Sequence, residues 1–425
     1  MGSLVSNAVE TWKELKKIGE DDPRKIVHSF KVGVALTIVS MFYYFRPLYQ
    51  GMGQAGMWAI LTVVVVFEFT VGGTLSKSIN RGFATLVAGA LGVAAEYVAD
   101  LCGKNGEPIL LGVLVFLLAA VCTFARFLPS VKKKYDYGVM IFILTFTLVA
   151  VSGYRIEEIL TLAHQRLATI LIGGATCIVI SVFVCPVWAG QDLHNLVASN
   201  IDKLAAFLQG YGEQFLGGES GKAAAAEEEE EKPFLLLQSV LNSKATEENL
   251  ANFAWWEPCH GRFGFGHPWM MYLKIATLCR ECAYLIQTLN ASSSSHSTNP
   301  TATDIFRQIR ELCRKICMES SQVLRELSTS IRTATFRSPA TTETYRDELK
   351  SLIESSSFQL RDNVPLLVVA FVLIDIKNCV DKAAAAVDEL SIKARFKKGE
   401  DTEKSKSIFR MFRRGTVKPF NEDAC

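Results

Sequence analysis

The chain has 425 residues, 49% of them hydrophobic and 21% charged, with a net charge of +2. So even a balance of charge leaves no electrostatic footprint for nucleic acid. The apolar residues crowd into 28–186, which excludes an ordinary soluble fold for that half. The eleven cysteines form no secreted disulfide framework, because Cys122, Cys177 and Cys185 lie inside apolar runs, where a thiol acts as a small hydrophobe.

Residues 1–27 carry Lys13, Lys16, Lys17, Arg24 and Lys25 without an apolar stretch beside them, so they read as a cytosolic segment and not as a signal peptide. The start Met1-Gly2-Ser3-Leu4-Val5-Ser6 fits the short myristoylation pattern, but a membrane-spanning chain does not need that anchor. Crossing a bilayer takes about 20 mostly apolar residues in a helix. Six runs meet this description, 28–46, 54–71, 82–99, 108–128, 137–153 and 166–186, of which the fifth is the shortest. Barrel-like alternation is absent, so the runs are helices. Inside segments hold five basic residues (1–27), two (Lys77, Arg81) and four (Arg126, Lys132, Lys133, Lys134), against one each in the outer loops (Arg46, Lys104, Arg155). That asymmetry puts both termini in the cytosol. Ala88 and Gly92 in the third run, and Gly173-Gly174-Ala175 in the sixth, are small residues that let helices approach closely.

Four ionisable groups at these runs stand out. Lys77 and Arg81 are four apart at the start of the third, so they share a helix face, and a helix N-terminus there favours anions. Arg166 opens the sixth. Glu68 lies in the apolar stretch Val63–Phe69 and reads as a counter-ion for one of the basic residues. Terminal Lys and Arg also snorkel to headgroups, so an anchoring role stands beside a functional one. The functional reading is a pore lined by cations, which selects anions and holds them weakly enough to release them. Trp58 and Phe67 are candidates to narrow it, with helix packing as the alternative. Arg126, Lys132, Lys133 and Lys134 form a basic cytosolic mouth.

Past Pro186 the pattern becomes that of a helical, water-facing domain over 187–395. Leu193, Leu196, Ile201, Leu204 and Leu208 keep helical spacing. Residues 217–232 are Gly, Ser, Ala and a run of Glu, a flexible solvated insert. Trp255-Trp256-Glu257-Pro258, His260-Gly261-Arg262-Phe263 and His267-Pro268-Trp269 are too dense in Trp, Pro and Gly for a plain helix and imply an ordered loop that packs its aromatics. Helices are expected over 268–290, 304–334 and 341–395; the apolar stretch 364–374 is too short to span a membrane. The tail 396–425 is basic, suited either to solvent or to an anionic leaflet. Cys279-x2-Cys282 and Cys313-x3-Cys317 fall on amphipathic helices without the turns of a zinc knuckle, so no metal is expected. No P-loop occurs, and no enzyme or cofactor chemistry is expected.

The stretches Met57–Phe69, Val71–Gly82, Tyr135–Val139 with Ser152–Arg155, and Pro186–Gly190 resemble the membrane domain of the plant aluminium-activated malate transporter family. Trp256-Glu257-Pro258 and His260–Phe263 resemble its cytosolic signature, and the likeness runs over about 20–395. The resemblance implies an all-α chain with a six-helix transmembrane bundle per subunit followed by a cytosolic helical domain. It implies an anion channel of the plasma membrane, or else of the vacuolar membrane. Malate and chloride, nitrate or sulfate pass it, the subunits pair as homodimers among membrane lipid, and Lys77, Arg81 and Arg166 lie in the pore. Val187 and Gln191 depart from the family pattern, as do Cys259, Gly264 and Gly266, which weakens an anion-binding role for the aromatic loop. The outer segment 46–53 has no acid and the last outer loop only Glu157 and Glu158, few oxygen ligands for Al³⁺. The likeness therefore points to the guard-cell, malate- and voltage-sensitive type. A proton-coupled carboxylate transporter with Glu68 as proton carrier, and a scaffold that transports nothing, are the competing readings.

Overall fold

The computed structural model describes residues 2–44, 56–103, 106–152, 156–214, 235–293, 304–337, 345–355 and 364–397. Among them the chain is helical, with no strand beyond two isolated bridges. Its described residues divide into two compact units, one holding those up to Ala189 with Asn252–Pro258, the other Gly190–Ala251 with Cys259–Lys397.

In the first unit α1 (Gly2–Asp21) leads into α2 (Pro23–Tyr44), which opens on a proline, a residue whose fixed φ suits a first helical position. Then come α3 (Gly56–Val66), α4 (Val71–Asp100), α5 (Glu107–Ala125), the short α6 (Pro129–Lys134), α7 (Asp136–Ser152) and α8 (Ile156–Phe183). By length and composition Val71–Asp100, Glu107–Ala125 and His164–Phe183 can each cross a membrane; Gly56–Val66 and Asp136–Val151 are shorter apolar helices.

Helix α4 packs on α7 and α8, and α8 on α3. Small residues set the spacing. A Cβ at Gly173 would fall 2.8 Å from the Ala59 carbonyl, and one at Gly92 2.6 Å from Val149 Cγ1. The apolar core joins Ala35, Val39, Val63, Val66, Phe67, Cys177 and Ile180. Helix α5 buries no residue, and Phe116 and Phe124 on it are exposed.

Two helix starts differ from the sequence expectation. The third apolar run begins at Val71 and not at 82, because Thr70 caps it: its side chain accepts from the Gly73 amide at 3.2 Å. The preceding run stops at Val66, since the Thr74 hydroxyl bonds both the amide and the carbonyl of Glu68 and competes with continued helix. The sixth helix begins at Ile156, ten residues before the expected start at 166. Lys77, Arg81 and Arg166 therefore lie inside helices and not at their openings. At the far end of α8, Cys185 takes φ 41° and its carbonyl accepts from the buried Lys31 ammonium at 2.7 Å, a cation at a helix C-terminus.

The second unit holds α9 (Ala189–Gln214), α10 (Lys244–Ala254), α11 (Trp269–Ser293), α12 (Asp304–Thr333), α13 (Tyr345–Ser355) and α14 (Val364–Lys393), except that Ala189 of α9 and Asn252–Ala254 of α10 belong to the first. Of the helix expected over 341–395, the structure describes Tyr345–Ser355 and Val364–Lys393 as helix, and residues 356–363 lie outside the described set. In the aromatic loop Gly261 and Gly266 take φ of 54° and 74°, a left-handed backbone that glycine adopts at no steric cost. Phe263 is buried there between His260, His267, Trp269 and His194, with ring centroids 4.9–5.5 Å away. Burial, before the charge of Arg262, pulls His194 down to about 3, and burial pulls His267 to about 4, so both stay neutral beside the Tyr272 hydroxyl at 2.9 and 3.3 Å. Cys279, Cys282, Cys313 and Cys317 are buried in α11 and α12, and no metal-binding cluster occurs among the described residues. The insert 217–232, the tail from 398, the outer segment 46–53 and Met1 lie outside the described residues.

Candidate functional site

Within the first unit, α3, α4, α7 and α8 bring three cations near one another. The Thr74 hydroxyl straps the loop 67–70 onto α4 and sets Glu68 beside Lys77, with which it forms an ion pair. Lys77 also stands 5.7 Å from the centroid of the Tyr137 ring. One turn on, Arg81 donates to the Tyr137 hydroxyl at 3.1 Å. Across from it on α8, Arg166 lies 3.9 Å over the Trp58 ring of α3, close enough to face-on for a cation–π contact. Arg166 feels the repulsion of Arg81. Both guanidiniums are buried, at 4% and 6% exposure, and neither has a carboxylate partner among the described residues.

That state is costly in an apolar bundle unless water or a mobile anion supplies the missing contacts. The same face of α4 carries further buried polar atoms without a protein partner: Ser78 Oγ, Arg81 Nε and Thr85 Oγ1. Buried polar atoms in proteins are nearly always paired, so a row of unpaired ones marks a place where something other than protein belongs.

The remaining sequence candidates take other places. Phe67 is 8% exposed and packs into the core with Val63 and Cys177, and its ring lies 5.6 Å from that of His28. Tyr137, which meets Lys77 and Arg81, packs against the same core cluster. Arg126 is held by Asp136 through two hydrogen bonds of 2.7 and 3.1 Å. Lys134 lies 4.3 Å over the Trp255 ring, while Lys132 and Lys133 are exposed. The expected anion site at a helix N-terminus moves as well. The dipole acts within the first turn, which here is Val71–Gly73. Its amides are already taken: Val71 donates to the Val187 carbonyl at 2.9 Å, Gly73 to Thr70, and Gly72 to Glu257 Oε1 at 3.3 Å.

Glu257 is a residue the sequence reading quotes only as part of a motif. Its Oε1 also accepts from the Ala189 amide at 2.6 Å, so one carboxylate caps the first turns of α4 and α9. The backbone approach at Gly72 demands glycine, since a Cβ there would sit 2.2 Å from the Phe253 carbonyl oxygen. Glu96 is the other residue not singled out: it lies inside α4 at 4% exposure, and its Oε1 has no protein partner.

Residues 16–357 match the family model described as aluminium activated malate transporter. The chain is 47% identical over 408 residues to aluminum-activated malate transporter 2 of Arabidopsis thaliana, covering 94% of this chain and 81% of that protein. It is 46% identical to aluminum-activated malate transporter 1 of the same plant, over 91% of this chain and 80% of that one. The wheat (Triticum aestivum) aluminum-activated malate transporter 1 is likewise 46% identical, over 91% and 87%. A family match over most of the length, with relatives this similar across nearly the whole chain, makes this protein a member of the aluminium-activated malate transporter family, a family of transporters and not of enzymes.

Proposed function

We propose that this chain is an anion channel that passes malate and inorganic anions (chloride, nitrate, sulfate) by electrodiffusion along the α3–α4–α7–α8 face. The carrying observation is the pair Arg81 and Arg166, buried without a carboxylate partner among the described residues and set beside unpaired polar atoms. Fixed cations in a water-lined path attract anions, and the aromatic partners Tyr137 and Trp58 hold the guanidiniums without neutralising them, so a passing anion meets their full charge. Glu68, paired with Lys77, is a counter-ion that tempers the site at one end and is poorly placed to carry protons. The lipid-facing character of α5 supports a membrane setting for the bundle.

In the same reading the apolar runs form a six-helix membrane domain over 28–186, preceded by a cytosolic segment 1–27 and followed by a cytosolic helical domain 187–395 and a basic tail 396–425. Both termini face the cytosol, the subunits pair as homodimers in the plasma membrane, and voltage and malate modulate the current. The test is patch-clamp of the expressed chain with malate or nitrate on either side. A reversal potential that follows the anion gradient supports the channel. Saturable flux that is coupled to the proton gradient, with no passive current, overturns it.

A further inference from the structure

We infer that Glu96 is a charge filter at the end of the path remote from Arg81 and Arg166, and that it discriminates permeant anions by valence. The inference rests on the anion-path reading above. Arg81, Thr85, Ala88, Gly92 and Glu96 are all buried on α4 in steps of four, three, four and four residues, so they share one side of the helix. Fifteen residues at about 1.5 Å each put Glu96 some 22 Å along the axis from Arg81. Helix α7 closes tightly on this side at Gly92, against Val149, and Glu96 follows one turn beyond.

A structural carboxylate at such a depth would be paired with a cation or with N–H and O–H donors. Glu96 has neither: it is 4% exposed, Oε1 meets no donor, and it forms no ion pair among the described residues. Among the described residues the charged neighbours at this end are acids, Asp100 one turn on along the same helix and Glu107 in the first turn of α5. The described part of α7 brings nothing charged near this level, Val149 and Ala150 being its buried residues there. The bundle is therefore polarised, with Lys77, Arg81 and Arg166 toward one end of α4 and Glu96, Asp100 and Glu107 toward the other.

The physical consequence is selective. Coulomb energy scales with the charge of the passing ion, so a fixed negative charge raises the barrier for a dicarboxylate dianion twice as much as for a monoanion. The acidic end thus slows dianions more than it slows nitrate or chloride, while the cationic cluster draws both in. Removing the Glu96 charge lowers the two barriers in the same two-to-one proportion, and a gain for nitrate appears squared for the dianion.

The experiment compares nitrate and malate currents, at a pH where malate is doubly ionised, in wild type, Glu96→Gln and Glu96→Asp, normalised to surface protein. The expected result is a rise in both currents in Glu96→Gln, about threefold for nitrate accompanying about ninefold for malate, with Glu96→Asp close to wild type. An unchanged malate-to-nitrate ratio in Glu96→Gln, while currents persist and still depend on Arg81, overturns this inference and leaves the channel reading intact. Absence of any anion current in wild type removes the channel reading itself. Should Glu96→Gln, Glu96→Asn and Glu96→Ala all fail to reach the surface while Glu96→Asp does, Glu96 is a folding residue and the inference is overturned.

Discussion

Replacing Glu257 with alanine removes one acceptor from two helix starts at once. The Ala189 amide loses a 2.6 Å charge-assisted bond, and Ala189 is fully buried, so its N–H is left facing protein. An orphaned buried donor of this kind costs about 1–3 kcal/mol. The Gly72 contact is longer, at 3.3 Å, and contributes less. Loss of negative charge at two helix N-termini adds about 0.3–1 kcal/mol for each. Together the expected destabilisation is about 2–4 kcal/mol for Glu257→Ala, and about 1 kcal/mol for Glu257→Gln, whose amide oxygen remains an acceptor without charge. At roughly 2–4 °C per kcal/mol, Glu257→Ala should melt about 5–15 °C below wild type in a thermal scan of the purified protein. Glu257→Gln should fall between the two. A melting temperature for Glu257→Ala within a degree or two of wild type, or one equal to that of Glu257→Gln, would refute the claim that this carboxylate holds the two helix ends.

Gly72→Ala drives a Cβ into the Phe253 carbonyl, with no flexible side chain to yield. It should cost more than about 2 kcal/mol, seen as loss of the monodisperse peak in size-exclusion chromatography of detergent-solubilised protein. At Trp58 a phenyl ring keeps a face for Arg166, so Trp58→Phe should conduct nearly as wild type. Trp58→Ala loses a contact of about 0.5–2 kcal/mol and should conduct poorly; equal currents from the two variants would remove the cation–π contact from the account. In the second unit, burial holds the folded pKa of His194 far below that of the unfolded chain, at about 3. The unfolded state therefore binds the extra proton, and the stability that neutral His194 contributes is complete above about pH 6.5 and declines as pH falls toward 3. The slope approaches ~1.4 kcal/mol per pH unit for this one group. His194→Phe should flatten the acid side of a melting-temperature profile, and an unchanged slope would show that His194 is not its source.

Much of the bundle was legible because long apolar runs have one solution in lipid, the helix. Where those helices begin was not. Residues 71–81 interleave Val71, Leu75 and Ile79 with Gly, Ser, Asn, Lys and Arg and so form no continuous apolar run, and the Thr70 cap, with Thr74 turning Glu68 out of the preceding helix, sets the start at Val71. The run Ile156–Gln165 mixes acids with Leu and Ala, so hydropathy passed over ten residues of helix. The type and grouping of Lys77, Arg81 and Arg166 could be read, as could the pairing of Glu68 with a nearby cation. Their aromatic partners could not, because Trp58 and Tyr137 reach them only through tertiary packing. Phe67 looked the same as Trp58 in sequence; Trp58 lies on α3 under Arg166, whereas Phe67 follows the helix end at Val66 and joins the apolar core. Glu257 was visible as a motif, but its task needs Gly72 and Ala189, 185 and 68 residues away, brought to one oxygen. Glu96 had the plainest signal of all, a carboxylate within an apolar run, and its meaning lies in the partners it lacks.

The most direct measurement of the central claim is the single-channel conductance of Arg81→Gln and Arg166→Gln in excised patches, with surface protein quantified alongside. If these guanidiniums face the anion path, each substitution lowers anion conductance severalfold at undiminished surface density, and the loss is greater for the malate dianion than for nitrate. Unchanged conductance and selectivity in both variants would contradict the account.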